Sequence, residues 1–133
     1  MKYEVEVTDE YIEWWNSLSE GMQEDVRAVV KYLEEFGPSM SSKRCKIIKS
    51  SRHRGTMREL IVSSVQSADI RIFFAFDPRR LAILLIGGDK FGQWETFYPE
   101  YVRMADDLYD EHLLTLRREG LLPAERPGTK RKR

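Results

Sequence analysis

The residues of this sequence that could do chemistry are mostly cations, and the chemistry they suit is that of phosphate groups. Lys43, Arg44, Lys46, Lys49, Arg52, His53, Arg54 and Arg58 fall within sixteen residues. Such a density is compatible both with a solvated loop and with a phosphate-binding surface. Arg71 is a sharper signal. It stands in Asp69-Ile70-Arg71-Ile72-Phe73-Phe74-Ala75-Phe76, where strand alternation puts it on one face with Phe73 and Ala75. A guanidinium in so apolar a strand needs a partner or a cleft, and Glu59, in the neighbouring apolar segment, is the expected partner. Lys90 lies just past another apolar run, where its charged tip can reach a groove. Trp94, Phe97 and Tyr98 follow it. Aromatic rings beside cations stack unpaired bases, and they fill a core under a helix equally well.

Other chemistries find little support. There is no glycine-rich phosphate loop, nucleophile elbow or His-Glu-x-x-His pattern. Two histidines, His53 and His112, and one cysteine, Cys45, make a catalytic triad or a metal site a poor expectation. Neither metal nor cofactor is therefore expected, and His112, within a helical stripe, reads as structural. The 133 residues are 41% hydrophobic and 33% charged, a balance that suits one globular domain. The longest apolar run, 81–86, has six residues, far short of the roughly 20 that span a bilayer. The start, Met-Lys-Tyr-Glu, lacks the form of a signal peptide. No membrane partner and a cytoplasmic location are the expectations. The net charge of zero argues against a strongly basic nucleic-acid binder, yet it is a cancellation. Residues 1–42 carry 3 Lys/Arg against 10 Asp/Glu, residues 43–90 carry 11 against 4, and residues 91–133 carry 8 of each. The basic middle is the segment suited to an anionic partner.

These side chains must be held by a small number of elements. Tyr3, Val5 and Val7 alternate with Lys2, Glu4 and Glu6, which predicts a strand over 2–8. A short helix is expected over 10–18 and a second from Ser19 to Gly37-Pro38, the two forming a hairpin. A loop follows with one short strand near 46–49. Strands are then expected over 57–64, 69–76 and 81–86, the last two joined by the turn Asp77-Pro78-Arg79-Arg80. Gly87-Gly88 is expected to release the chain from the sheet. The last helix should cover about 99–119, with Val102, Ala105, Leu108, Tyr109, His112 and Leu116 along one stripe. Residues 120–133, with two prolines and a basic end, read as a disordered tail. The fold class is α+β, in the order β-α-α-β-β-β-α: a mainly antiparallel sheet packed against a helical hairpin and a C-terminal helix.

The segments Met57-Arg58-Glu59-Leu60, Arg71 to Arg80 and Ala82 to Lys90, with Trp94, Tyr98 and the closing Leu108-Tyr109-Asp110-Glu111-His112-Leu113, resemble the RelE/ParE toxin superfamily. They resemble in particular its HigB-like, phage-derived branch. The resemblance covers about residues 2–119, and its specific part runs from Arg71 to Lys90. It implies a compact RelE-like domain over 1–119 and the toxin half of a type II toxin–antitoxin system. The implied activity is a ribosome-dependent mRNA endonuclease, or mRNA interferase, that needs no metal. The 2′-hydroxyl attacks the adjacent phosphate and leaves a 2′,3′-cyclic phosphate and a 5′-hydroxyl. The implied partners are a helix-turn-helix antitoxin of HigA type, the ribosome with its mRNA and, through the antitoxin complex, operator DNA.

Carried over by position, Arg71 implies stabilisation of the transition-state phosphate, and Lys90 charge stabilisation or protonation of the leaving oxygen. Glu59 implies a base or a residue orienting Arg71. Lys46, Lys49, Arg52, His53, Arg54, Trp94 and Tyr98 imply RNA contacts, Tyr98 by stacking on a base. One departure stands out. The branch's motif usually reads Arg-Glu-Leu-Arg, but here it reads Arg58-Glu59-Leu60-Ile61. The missing cation makes Arg58 or Lys49 a candidate substitute, and Arg58 joins the catalytic set on that ground. Two other readings stay open: a ParE-like toxin that poisons gyrase, and a catalytically degenerate relative that acts only as a partner of its antitoxin.

Overall fold

Thr8 ends the first strand and starts the first helix. In this computed structural model, which describes residues 2–63 and 68–122, β1 is short, Val5–Val7. The Thr8 hydroxyl accepts from the Tyr11 N–H at 2.9 Å and donates to the Leu85 carbonyl at 2.7 Å. One side chain thus caps α1 (Asp9–Asn16) and ties it to a strand 77 residues away. Ser19 caps α2 (Glu20–Phe36), accepting from the Met22 N–H at 3.2 Å. Then follow β2 (Cys45–Ile47), β3 (Met57–Ile61), β4 (Ile70–Phe76), β5 (Ala82–Asp89) and α3 (Phe97–Arg118). The short strand expected near 46–49 forms as β2 and joins the sheet, so that four strands, not three, stand between α2 and α3.

The five strands make one sheet in the order β1-β5-β4-β3-β2. β1 runs parallel to β5, and every other neighbouring pair is antiparallel. The α1–α2 hairpin covers one face, where Val26, Val29 and Leu33 meet Leu60, Ile72, Phe74 and Leu84. α3 covers the other, where Phe97, Val102, Ala105 and Tyr109 meet Met57, Phe73, Ala75 and Leu85. Burial on both faces explains why β4 is apolar almost throughout. It also sorts strand residues by parity: even positions of β3 and β4 face the hairpin, and odd positions face α3.

The parity of β5 breaks once. Phe73 pairs with Ile86 but Phe74 with Leu84, a bulge that leaves Leu85 and Ile86 both on the α3 side. Beyond it the even residues of β5 face α3, so Gly88 lies opposite Arg71 and Lys90 emerges on that same side. A single inserted residue thus aims Lys90.

Gly87 and Gly88 do not release the chain. They lie inside β5, because two aromatic rings occupy the space that side chains would need. A Cβ on Gly87 would run into the Trp14 ring from the hairpin, and one on Gly88 would lie 2.5 Å from Tyr101 Cε2. Gly88→Ala is expected to cost about 1–3 kcal/mol through displacement of Tyr101, measured as a lowered melting temperature. An unchanged melting temperature would show that the ring moves aside freely.

His112 is structural, as its place in the stripe implied. Its Nε2 lies 2.8 Å from Oδ2 of the buried Asp77. Asp77 also accepts from Arg79 Nη2 at 2.7 Å, and Arg79 reaches Glu6 on β1 at 2.8 Å. Among the described residues no helix is long and apolar enough to cross a membrane. Ser64, the expected end of the 57–64 strand, and residues 123–133 of the expected tail lie outside the described residues.

Candidate active site

Where β3, β4 and the end of β5 meet the first turn of α3, five polar side chains converge. Arg71 is at the centre. Its Nη1 donates to Tyr98 Oη at 3.0 Å and to Glu59 Oε1 at 3.4 Å. Its Nε and Nη2 donate to Asp69 Oδ1 at 3.3 and 3.1 Å. The Tyr98 hydroxyl donates to Glu59 Oε1 at 2.8 Å and accepts from Lys90 Nζ at 3.5 Å. The Lys90 ammonium also lies 5.0 Å from the Tyr98 ring centroid, within range of a cation–π contact.

The side chains of Arg71 and Glu59 are 14% and 7% exposed, so their interaction is only weakly screened by water. Burial opposes the charge on Arg71, but Tyr98, Glu59 and Asp69 together outweigh it and hold its pKa above the usual value. Burial, and then the bond to Glu59, push the Tyr98 phenol well above its ordinary range. Tyr98 is thus held as a proton-bearing donor. A carboxylate, a protonated hydroxyl, an ammonium and a guanidinium are in mutual reach. That set can accept a proton, donate one, and stabilise a phosphorus centre that gains negative charge.

The aromatic residues divide. Phe97 is fully buried and belongs to the core, while Trp94 and Phe91 are 56% and 59% exposed and meet edge to face at 5.8 Å. Tyr98 packs edge-on against Phe73 and Phe97 at 6.1 and 5.3 Å. Its hydroxyl, more than its ring, is what it gives to the site.

The basic residues divide as well. Lys46 is the register partner of Glu59. It shares the α3 face with it, exposed, with Cβ atoms roughly 5 Å apart as cross-strand partners are. Lys49 and Arg54 are exposed and line a shallow pocket with Ile47 and Gly55. Arg52 and His53 are committed elsewhere. Arg52 Nη2 bonds Asp107 at 3.0 Å and also Asp110, His53 Nε2 lies 2.7 Å from Asp110, and Asp106 takes the Ser51 hydroxyl and the Arg52 N–H. The bonds from Arg52 and then His53 hold the Asp110 carboxyl below its usual pKa. This latch sits eight to twelve residues along α3 from Tyr98, about 12–18 Å at helical rise. It is not part of the Arg71 cluster.

Arg58 is not brought to the cluster either. Adjacent residues of a strand point to opposite faces, so with Glu59 facing α3, Arg58 faces the hairpin. There its guanidinium lies 5.7 Å from the Phe76 ring, and its charge partly offsets the upward push of burial on the Cys45 thiol. It cannot stand in for the missing arginine. Ile61 stands beside the site: it is the register partner of Arg71, on the same face. Sequence reasoning passed over Asp69. Its spacing of two from Arg71 along one strand was the available signal.

Residues 13–110 match the family described as Phage derived protein Gp49-like (DUF891). The chain belongs to that family. Its relatives place it among the RelE/HigB-like toxins. It is 40% identical over 100 residues to "Putative toxin HigB2" of Mycobacterium tuberculosis, covering 75% of this chain and 49% of that protein. The chain thus spans about half the length of this relative. It is 36% identical over 93 residues to "Putative toxin HigB3" of the same organism, covering 70% of this chain and 78% of that protein. A free-state structure of an Escherichia coli RelE toxin mutant matches with a TM-score of 0.54 at 13% identity, over 77% of this chain and 97% of the other. At that identity the match speaks for the fold, which is the RelE fold.

Proposed function

We propose that this Gp49-like protein is the toxin of a type II toxin–antitoxin pair and an endoribonuclease that cuts mRNA on the ribosome. The observation that carries the proposal is the cluster of Glu59, Arg71, Tyr98 and Lys90 on one face of the sheet. Glu59 takes the proton of a ribose 2′-hydroxyl, whose oxygen bonds to the adjacent phosphorus. Arg71 stabilises the pentacovalent phosphate. Lys90, linked through Tyr98, supplies a proton to the leaving 5′-oxygen as its bond to phosphorus breaks. The products are a 2′,3′-cyclic phosphate and a 5′-hydroxyl, and the protein's own cations do the work assigned to metals elsewhere. Lys46, Lys49 and Arg54 contact the phosphate backbone, and Trp94 stacks on a base at the edge of the site. The partners are a HigA-like helix-turn-helix antitoxin, the ribosome and its mRNA, with operator DNA reached through the antitoxin. The setting is the cytoplasm.

The test is inducible expression without antitoxin, followed by mapping of mRNA 5′ ends. New ends within translated codons are expected. Growth arrest with intact mRNA and broken DNA would replace this reading with gyrase poisoning, and absence of arrest would remove both.

The role of Ile61 gives a second check. An arginine there would stand opposite Arg71, where the branch usually has one. Ile61→Arg is expected to raise cleavage severalfold and to steepen the salt dependence of ribosome binding by about one counterion. Lower cleavage, from repulsion between facing guanidiniums, would show that this site has settled around a single arginine.

A further inference from the structure

Three carboxylates crowd a site assigned to an anionic substrate. Glu59 has a chemical role there, but Asp69 and Asp89 have none. An acidic group 3.1 Å from the central cation opposes the binding of a phosphate. Its place needs another explanation, and the bonding pattern supplies one.

Asp69 Oδ1 takes both Nε and Nη2 of Arg71, one whole edge of the planar fork, while Nη1 is shared between Tyr98 and Glu59. These bonds fix the plane and direction of the guanidinium from both sides. A guanidinium has five N–H groups. The four bonds leave one, on Nη2, to meet a substrate. The backbone of Asp69 holds the second cation as well: its carbonyl accepts from the Lys90 N–H at 2.9 Å. Its own N–H donates to Asp89 Oδ1 at 2.9 Å, and that oxygen also accepts from the Phe91 N–H at 3.0 Å. The Asp89 carbonyl accepts from Gln93 Nε2 at 2.7 Å. Asp89 therefore pins the start of β4 to the loop that carries Phe91 and Trp94.

We infer that Asp69 is a positioning residue: it orients the Arg71 guanidinium for the transition state at a cost in ground-state affinity for RNA. Asp89 holds the supporting loop in register with it. The inference rests on the proposed function and refines it. A group that orients a cation while repelling the substrate has an unusual signature. Its removal slows the chemical step and tightens substrate binding. A residue that serves only folding would not move the two in opposite directions.

The experiment uses the full chain and ribosomes programmed with a defined mRNA. Single-turnover cleavage is measured on all-ribose mRNA. Binding is measured on complexes whose A-site codon carries 2′-deoxynucleotides and cannot be cut. Asp69→Ala is expected to slow cleavage about tenfold or more through loss of orientation. The same variant should bind the uncleavable complex about twofold or more tighter through loss of a like charge. Asp69→Asn, which keeps an oxygen for the guanidinium, is expected to lose less rate than Asp69→Ala while showing the tighter binding. Unchanged cleavage by Asp69→Ala, or weaker binding with its melting temperature preserved, would overturn the inference. Asp69→Asn as slow as Asp69→Ala would also overturn it. Arg71→Ala run in parallel separates the two levels. If it cuts as fast as wild type, the Arg71 site on which both readings rest has failed. If it does not cut and Asp69→Ala is silent, only the positioning role has.

Discussion

Arg71→Ala is expected to lower mRNA cleavage at least about a hundredfold, the usual cost of removing one preorganised donor from a charged transition state. Arg71 bonds three others of the cluster, Glu59, Tyr98 and Asp69. Its loss removes the cation at the phosphorus and leaves Glu59 without its countercharge. Arg71→Lys keeps the charge but loses the fork that bridges Asp69 to Tyr98, and its activity should fall between the two. The fold should survive in both. The Tyr98 hydroxyl still satisfies Glu59 at 2.8 Å, and the surrounding strands are packed by Phe73, Phe97 and Ile72. Cleavage kinetics with melting temperatures alongside decide the matter. Retained cleavage in a folded Arg71→Ala variant would place the chemistry elsewhere.

The second large effect concerns stability. Asp77 is buried and accepts from His112, from Arg79 and from the Arg79 and Leu81 backbone N–H groups. It joins the β4–β5 turn to α3 and, through Arg79, to Glu6 on β1. Asp77→Ala leaves these donors unpaired in the interior and is expected to cost about 2–4 kcal/mol, or roughly 10 °C in melting temperature for a chain of this size. The pH dependence has a definite sign. Burial raises the Asp77 pKa, but the bonds from His112 and Arg79 outweigh it and hold the group below its usual value. Its contribution is therefore complete above the unfolded-state pKa of about 4 and is lost as pH falls through the lower folded value. The gap in melting temperature between wild type and variant should be steady near neutrality and should close below about pH 4. A gap that closed instead on raising the pH would contradict this assignment.

Much of the candidate site is legible in the sequence. An arginine in an apolar strand, a glutamate in the next and a lysine past the third single out Arg71, Glu59 and Lys90, and the family resemblance supplies their expected roles. Alternation and helix periodicity placed the elements that carry them. The failures have physical causes. Gly87-Gly88 looked like a chain break because glycine serves both as a breaker and as a gap for a large neighbour, and only packing tells the two apart. The bulge at Leu85, which turns Lys90 toward α3, leaves no mark in a run as uniformly apolar as Ala-Ile-Leu-Leu-Ile. The capture of Arg52 and His53 by Asp107 and Asp110 joins residues more than fifty positions apart, beyond what local pattern can reveal. Arg58 is different. Its neighbour Glu59 had already claimed the α3 face, so alternation alone excluded it from the same site.

The most direct measurement adds purified protein to ribosomes programmed with a defined mRNA and determines the chemistry of any new ends. A cut in the A-site codon is expected, with a 5′-hydroxyl that polynucleotide kinase labels without prior phosphatase and a 2′,3′-cyclic phosphate on the upstream fragment. Arg71→Ala should give no such ends. Intact mRNA with the wild-type protein bound to the ribosome, or fragments bearing 5′-phosphates, would contradict the assignment of Glu59, Arg71, Tyr98 and Lys90 as an RNA-cutting site.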